Sequence, residues 1–256
     1  MARHATMFRP ASEHLTGLIK SAGSSEPLIR DPDVNSNSRV LVIAPHHFDE
    51  IIGCGGTMCK MAKKGAHIKV LFLTDSSYCD IVGPGCGLVP MEPMEVKESL
   101  ASLRCYESER LDLPCMGIRP DIESRRALLK VIEYYSPDHL FIPSLRDVHP
   151  DNKMTGLLAA RTLKDYTGCL TLYSYEVWGG LFPNTMVEIT DVIDDKIAAI
   201  RVRKRRSKMV DEENRIKETN CFRLSTMQDD RYGEPFLRQG KKDFLDMTRF
   251  LPAHRA

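Results

Sequence analysis

An apolar run at residues 40–44 ends abruptly in the polar sequence His46-His-Phe-Asp-Glu50, and a helical pattern begins at once. A buried parallel strand followed directly by a helix is the repeating unit of open α/β sheets, which place their ligand sites at the carboxyl edge of the strands. His46 and Asp49 are three residues apart, so one tight loop can aim an imidazole and a carboxylate at the same point. This combination of ligand types is typical of a metal site.

Strand and helix patterns alternate along the chain from residue 39 onward. The predicted strands are 40–44, 68–73, 110–113, 140–143, 171–177 and 186–189. The predicted helices are 50–64, 95–103, 122–135, 154–163 and 192–206. Because such a repeat requires right-handed crossovers, it predicts an α/β fold, a Rossmann-like three-layer sandwich with a mostly parallel sheet. Residues 1–38 carry no strand or long helix pattern, so we interpret them as an irregular lead-in to a single domain at 39–256.

The composition excludes several classes of protein. With 42% hydrophobic residues, 28% charged residues and a formal net charge of +1, the chain has no field that attracts nucleic acid or a membrane surface. No apolar run approaches the roughly 20 residues of a membrane span, and the first residues lack the apolar core of a signal peptide. We therefore expect a cytoplasmic protein without nucleic-acid partners, and we leave homo-oligomerisation open.

Two further features have ordinary interpretations. The eight cysteines contain no Cys-x-x-Cys pair, which argues against a zinc ribbon and favours reduced thiols. The basic run at 201–208 is typical of the solvated end of a helix. Contact of that run with a phosphate group is the alternative that we keep open.

A second polar cluster, Asp147-Val-His-Pro-Asp-Asn152, follows the predicted strand at 140–143 and precedes a helix. A parallel sheet would bring this cluster to the same edge as His46 and Asp49. A divalent metal held by such side chains polarises an amide carbonyl and lowers the pKa of a water molecule. The alternative is that Asp49 and Asp151 only cap their helices, since aspartate is a preferred N-cap residue.

Several ordered motifs resemble one family. The first is the pentapeptide at 46–50, which is followed by Gly53-Cys-Gly-Gly56. The others are Leu73-Thr-Asp75, Phe141-Ile-Pro-Ser144, His149-Pro-Asp-Asn152, Tyr175-Glu-Val-Trp178 and Ile189-Thr-Asp-Val192. Over residues 39–206 the chain is similar to the LmbE-like, PIG-L-type N-acetylglucosaminyl deacetylases. The resemblance implies the LmbE-like deacetylase fold and zinc-dependent removal of an acetyl or other acyl group from a small amino-sugar conjugate.

The resemblance assigns roles to individual residues. His46 and Asp49 fall on two zinc ligands, and Asn152 falls on the third, where the family has histidine. His149 falls on the histidine that protonates or stabilises the reaction intermediate, and Asp151 falls on the carboxylate that orients it. An amide oxygen is a poor zinc ligand and suits harder cations, so Asn152 leaves the identity of the divalent metal open.

The chain also departs from the family pattern at the general base, where Phe48 replaces aspartate. His47 lies beside it and is a candidate replacement base or ligand. Three hypotheses follow. The first is a metal-dependent amide hydrolase, and the second is a catalytically inactive relative that binds a sugar-type ligand or a partner protein in the old pocket. The third is an enzyme with a different reaction that uses a His149–Asp151 dyad without a metal. We assign the pocket wall to Phe48, to Asp75 at a strand end and to Trp178, whose indole can stack on a sugar or simply pack.

Overall fold

The computed structural model describes residues 27–74, 92–204, 212–225 and 231–248. Eight strands form one sheet: β1 (Leu28–Ile29), β2 (Arg39–Ala44), β3 (His67–Thr74), β4 (Glu107–Leu113), β5 (His139–Pro143), β6 (Thr171–Tyr175), β7 (Thr185–Glu188) and β8 (Gly233–Gly240). The described helices are α1 (Asp49–Lys63), α2 (Pro93–Ser102), α3 (Ile122–Tyr135), α4 (Pro150–Leu163), α5 (Ile193–Lys204), α6 (Glu212–Ser225) and α7 (Lys241–Thr248). A short 3₁₀ turn, Thr190–Val192, precedes α5.

The strand order is β1-β7-β8-β6-β5-β2-β3-β4. All neighbouring strands are parallel except β8, which runs antiparallel to both β6 and β7. The prediction of an α/β fold with a mostly parallel sheet is therefore confirmed. The sequence pattern missed β8, because glycine, proline and charged residues interrupt its apolar run.

The order in which successive strands are added to the sheet reverses between β2 and β5. From β2 the chain proceeds to β3 and β4 on one side, whereas β5 returns to the other side of β2 and is followed outward by β6. Such a switch point leaves a crevice at the carboxyl ends of the two central strands, because the loops that follow them diverge to opposite sides. The loops after β2 and β5 are those that carry the two polar clusters.

Two apolar clusters hold the layers together. Successive residues of β2 alternate between them, so that Val42 belongs to one cluster and Ile43 to the other. The first cluster packs α1, α2, α5 and α6 on one face of the sheet, and the second packs α3, α4 and α7 on the other. This is the predicted three-layer sandwich.

Some expectations about the rest of the chain need correction. Leu28–Ile29 pair in parallel with β7, so the interpretation of residues 1–38 as wholly irregular is wrong at this strand. The boundary at residue 39 remains a prediction. Residues 205–208 of the basic run at 201–208 lie outside the described residues.

Cysteine chemistry also differs from expectation. Cys115 is disulfide-bonded, so the prediction of reduced thiols throughout is wrong there. Free thiols are found at Cys54, Cys59, Cys105, Cys169 and Cys221. The cytoplasmic location remains a prediction. None of the helices in the described ranges is both long enough and apolar enough to span a membrane.

Gly53 and Gly56 lie in α1 where this helix packs most closely on the sheet. A Cβ atom at Gly53 would lie 2.1 Å from Cδ2 of Tyr175, and one at Gly56 would lie 2.8 Å from Cβ of Ile189. Both distances are shorter than non-bonded contacts allow in a close-packed interior. The two glycines therefore let α1 approach β6 and the turn that follows β7.

We expect Gly53→Ala to lower the free energy of unfolding by about 1–3 kcal/mol, because the new methyl group overpacks a well-filled core. Gly55→Ala is the matched control, since its Cβ would meet no atom closer than 3.3 Å and alanine favours the helix. We expect it to change stability by less than about 1 kcal/mol. Urea denaturation measures both, and equal stability of the two variants would contradict the close packing of α1.

Candidate metal and active site

The loops after β2 and β5 meet at the switch point of the sheet. Nε2 of His46 lies 2.8 Å from Oδ2 of Asp151, although the two residues are 105 positions apart. The rings of His46 and His149 meet edge to face with their centroids 4.9 Å apart. One potential ligand atom from each of these three residues lies within 4.8 Å of the others, and all three residues are buried. The two polar clusters therefore form one site.

His46 lies between two carboxylates. Its Nδ1 is 3.1 Å from Oδ2 of Asp49, which also accepts a hydrogen bond from the His46 backbone N–H. Burial disfavours the charged imidazolium, but the hydrogen bonds to Asp151 and Asp49 outweigh it and raise the pKa of His46 to about 9. Without a metal, the positive charge of this site lies on His46.

Asp151 is held by two donors. Its Oδ2 accepts hydrogen bonds from Nε2 of His46 and from the backbone N–H of Met116, the latter at 2.7 Å. Burial alone would raise the pKa of this carboxyl group, but the two hydrogen bonds outweigh it and lower the pKa. Asp151 is therefore an ionised, buried group that can bind either the His46 imidazolium or a cation.

The backbone N–H of Asp151 holds the ring of His149. This N–H donates to Nδ1 of His149 at 3.1 Å. Because Nδ1 must accept this hydrogen bond, the proton of the neutral ring lies on Nε2. Burial and then the charge of His46 lower the pKa of His149, which keeps the ring neutral. Sequence reasoning gave the orienting role to the Asp151 carboxylate, whereas the described contacts give it to the Asp151 main chain.

Asn152 is fully buried, with 0% of its surface exposed. Neither Oδ1 nor Nδ2 of its side chain has a hydrogen-bond partner among the described residues. An unpaired buried amide costs about 1–3 kcal/mol, so such groups are rare unless a bound species completes them. Asn152 follows Asp151 in the first turn of α4, and its free polar atoms therefore fit a ligand of this site.

Phe48 and His47 contact other parts of the structure. Phe48 has a left-handed backbone (φ 101°), and its side chain is 1% exposed within the first core cluster. It therefore offers a pocket wall at most, and its contact with a substrate remains a prediction. The ring of His47 packs edge to face on Phe72 at 4.4 Å and lines a cavity of about 300 Å³ between α2 and β4. His47 thus does not join the cluster of His46 in the described structure.

Trp178 lies on the loop after β6 with 39% of its surface exposed. The guanidinium of Arg215 lies 5.5 Å from the centre of its ring. The indole is therefore positioned by a cation–π contact and still presents surface to a ligand. Asp75, the other predicted wall residue, lies outside the described residues.

Sequence reasoning gave no role to Asp147, which joins the loop after β5 to the loop after β6. Its Oδ1 accepts from the backbone N–H of His149 at 2.8 Å. Its Oδ2 accepts from the backbone N–H groups of Val177, Trp178 and Gly179 at 3.3, 3.1 and 3.4 Å. An aspartate two residues before His149 is the signal of an Asx turn, which could have identified Asp147.

We expect Asp147→Asn to lower the free energy of unfolding by about 1.5–3 kcal/mol. The Asp147 carboxylate accepts hydrogen bonds from four backbone N–H groups, and the substitution replaces one of its two oxygens by an NH₂ group, which cannot accept. Asp121→Asn is the matched control. Asp121 is an exposed N-cap whose side chain accepts from the N–H of Ser124, and asparagine caps equally well. Its stability should stay within about 0.5 kcal/mol of the parent in urea denaturation. An Asp147→Asn variant with the stability of the parent would refute the role of Asp147 in joining the loops.

The chain is similar in sequence to known proteins. Residues 41–163 match the family described as PIG-L, GlcNAc-PI de-N-acetylase. This span runs from β2 to the end of α4 and includes both loops of the site. A diacetylchitobiose deacetylase from Thermococcus kodakarensis is 28% identical over 185 residues, which cover 65% of this chain and 69% of that protein.

Solved structures share the fold. N,N'-diacetylchitobiose deacetylase from Pyrococcus horikoshii, bound to its inhibitor, superimposes with a TM-score of 0.71 at 24% identity and covers 98% of this chain and 99% of its own. GalB, the 4-carboxy-2-hydroxymuconate hydratase of Pseudomonas putida, superimposes with a TM-score of 0.63 at 18% identity, over 86% of this chain and 98% of its own. The fold thus serves more than one reaction. The resemblance to the LmbE-like, PIG-L-type family that the motifs predict is therefore confirmed over residues 41–163.

Proposed function

We propose that this protein is a metal-dependent amide hydrolase that removes an acetyl group from an N-acetylated amino sugar or glycoconjugate. The observation that carries the proposal is the side chain of Asn152, which directly follows Asp151 in α4, is fully buried and has two unpaired polar atoms. The PIG-L match and the homologous diacetylchitobiose deacetylase support the reaction class. The proposed substrate is therefore a small amide-bearing sugar.

His46, Asp49 and Asn152 would hold the metal, with Asp151 as a neighbouring carboxylate. The donor set fits a divalent cation, because Asp49 and Asp151 already bind the positive charge of the His46 imidazolium. Zinc is the metal that the family implies, and the amide oxygen of Asn152 favours a harder cation than a third histidine would. When bound, the cation would polarise the amide carbonyl and lower the pKa of a water molecule.

His149 would act on the substrate through Nε2. Because Asp151 fixes its Nδ1 from the main chain, the Nε2–H group is the free donor of the neutral ring. This proton can bind the carbonyl oxygen as negative charge develops there, a contribution of about 10²–10³ in rate for one donor. The leaving amine can then take the same proton. The exposed indole of Trp178 would form a stacking surface for the sugar ring.

A second candidate function is binding without catalysis. The observation that favours it is Phe48, whose side chain cannot accept a proton from water. Loss of a general base costs about 10²–10⁴ in rate. In this alternative the site binds a sugar-type ligand or a partner protein and turns nothing over.

Metal content tests the proposed site directly. We expect the protein from zinc-supplemented medium to contain close to one zinc ion per chain by mass spectrometry, and His46→Ala to lose it, because the variant removes a ring bound by two carboxylates. His67→Ala, at the exposed start of β3, is the matched control and should keep the metal. Equal metal content in both variants would refute the site.

Restoring a base at position 48 separates the two functions. Aspartate and asparagine tolerate φ > 0 far better than phenylalanine, so both fit the backbone of residue 48. We expect Phe48→Asp to raise deacetylation of N,N'-diacetylchitobiose by about 10²–10⁴-fold, and Phe48→Asn, which is no base, to leave it at the parent level. If the parent protein shows no deacetylation and the Phe48→Asp variant does, the second function, binding without catalysis, is supported. Equal rates for both variants would contradict the need for a base at this position.

A further inference from the structure

Lys196 and Glu234 form an ion pair in the interior that the proposed reaction does not use. Nζ of Lys196 lies 2.7 Å from Oε1 of Glu234, and both side chains are 0% exposed. A buried pair of charges loses its hydration, so it persists only where every donor and acceptor is satisfied. Lys196 lies on α5 and Glu234 on β8, and α1 runs past both of them.

Helix α1 is broken beside this pair. Cys54 departs from helical dihedral angles (φ −147°, ψ 18°), so the first turn of the helix is separate from the remainder. The first turn carries Asp49 and begins directly after the loop of His46. Sharp breaks within helices arise where a side chain enters the ladder of backbone hydrogen bonds.

The ion pair takes the place of the missing helix bonds. In an unbroken helix, the N–H of Gly56 would donate to the carbonyl of Ile52. Here Oε1 of Glu234 accepts from Gly56 N–H at 2.9 Å, and Nζ of Lys196 donates to the Ile52 carbonyl at 2.8 Å. The N–H of Thr57 likewise donates to Oε2 of Glu234 at 2.8 Å. The Glu234 carboxylate thus accepts hydrogen bonds from the N–H groups that the break leaves unpaired. The Lys196 ammonium donates to the carbonyl group that the break leaves unpaired.

The remaining polar groups of the pair are also satisfied. Nζ of Lys196 donates its third hydrogen bond to Oδ1 of Asn220 at 3.0 Å, and Nδ2 of Asn220 donates to the carbonyl of Gly233 at 2.9 Å. An ammonium has three protons, and Ile52, Glu234 and Asn220 accept all of them. The network therefore fixes the end of the first turn of α1 against α5, α6 and β8.

We propose that Lys196 and Glu234 are positioning residues for the metal site: by holding α1 broken at Cys54, they set the direction of its first turn and so place Asp49 against His46. The turn is then held at both ends, by the Lys196 contact at Ile52 and by the Asp49 contact at His46. The inference rests on the proposed function only where it assigns Asp49 to a metal.

The test is zinc affinity, measured by competition with a chromophoric chelator on folded protein. The double variant Lys196→Met/Glu234→Gln removes both charges at similar volume and leaves no charge buried alone. We expect its Kd for zinc to be 10–100-fold higher than that of the parent, the usual effect of losing residues that orient a metal ligand. If the double variant does not fold, Asn220→Ala removes one acceptor of the Lys196 ammonium but keeps the ion pair, and it should give an intermediate zinc affinity.

Leu128→Ala is the matched control, because Leu128 is fully buried in the second core cluster on α3, away from α1. It should lower stability and leave the zinc Kd unchanged within twofold. A double variant with the parent's zinc affinity would overturn the proposal, since a merely structural pair would move stability alone.

A parent that binds no zinc would instead refute the proposed metal site, and the crystal structure of the double variant then decides the inference. A continuous α1 with Asp49 displaced from His46 supports positioning by the pair. A retained break at Cys54 with the 3.1 Å contact between Asp49 and His46 intact overturns it.

Discussion

The site depends on one buried arrangement of charge, the His46 imidazole between the carboxylates of Asp49 and Asp151. One carboxylate comes from the loop after β2 and the other from the loop after β5, so this contact ties together the two halves of the sheet at its switch point. Two carboxylates this close in the interior require a positive charge between them. Either the imidazolium or a metal cation supplies it, and the remaining groups of the site are arranged around this requirement.

Backbone amides do much of the orienting in this protein. The main-chain N–H of Asp151 fixes the ring of His149, and the N–H of Met116 holds the Asp151 carboxylate. Asp147 accepts hydrogen bonds from four backbone N–H groups in two loops, and Glu234 accepts from two in the broken helix α1. Each of these carboxylates is buried and accepts from at least two N–H groups, a pattern that orders loops without regular secondary structure.

The sequence predicted what local patterns determine. Apolar runs located β2, β3 and β5, and their polar ends placed His46 near Asp151, because parallel strands bring their carboxyl ends to one edge. It missed β8, whose Gly-Glu-Pro start is atypical of a strand. It also missed the pairing of Lys196 with Glu234, which are 38 residues apart and carry no spacing signal. The orientation of His149 depends on a backbone N–H, which no residue type reveals.

The most direct test of the account is anomalous diffraction at the zinc absorption edge from crystals of the protein grown with zinc. We predict one strong peak within bonding distance of His46, Asp49 and Asn152, with the hydrogen bond between His46 and Asp49 replaced by metal bonds. A map without a peak there, with His46 still bonded to both Asp49 and Asp151, would contradict it.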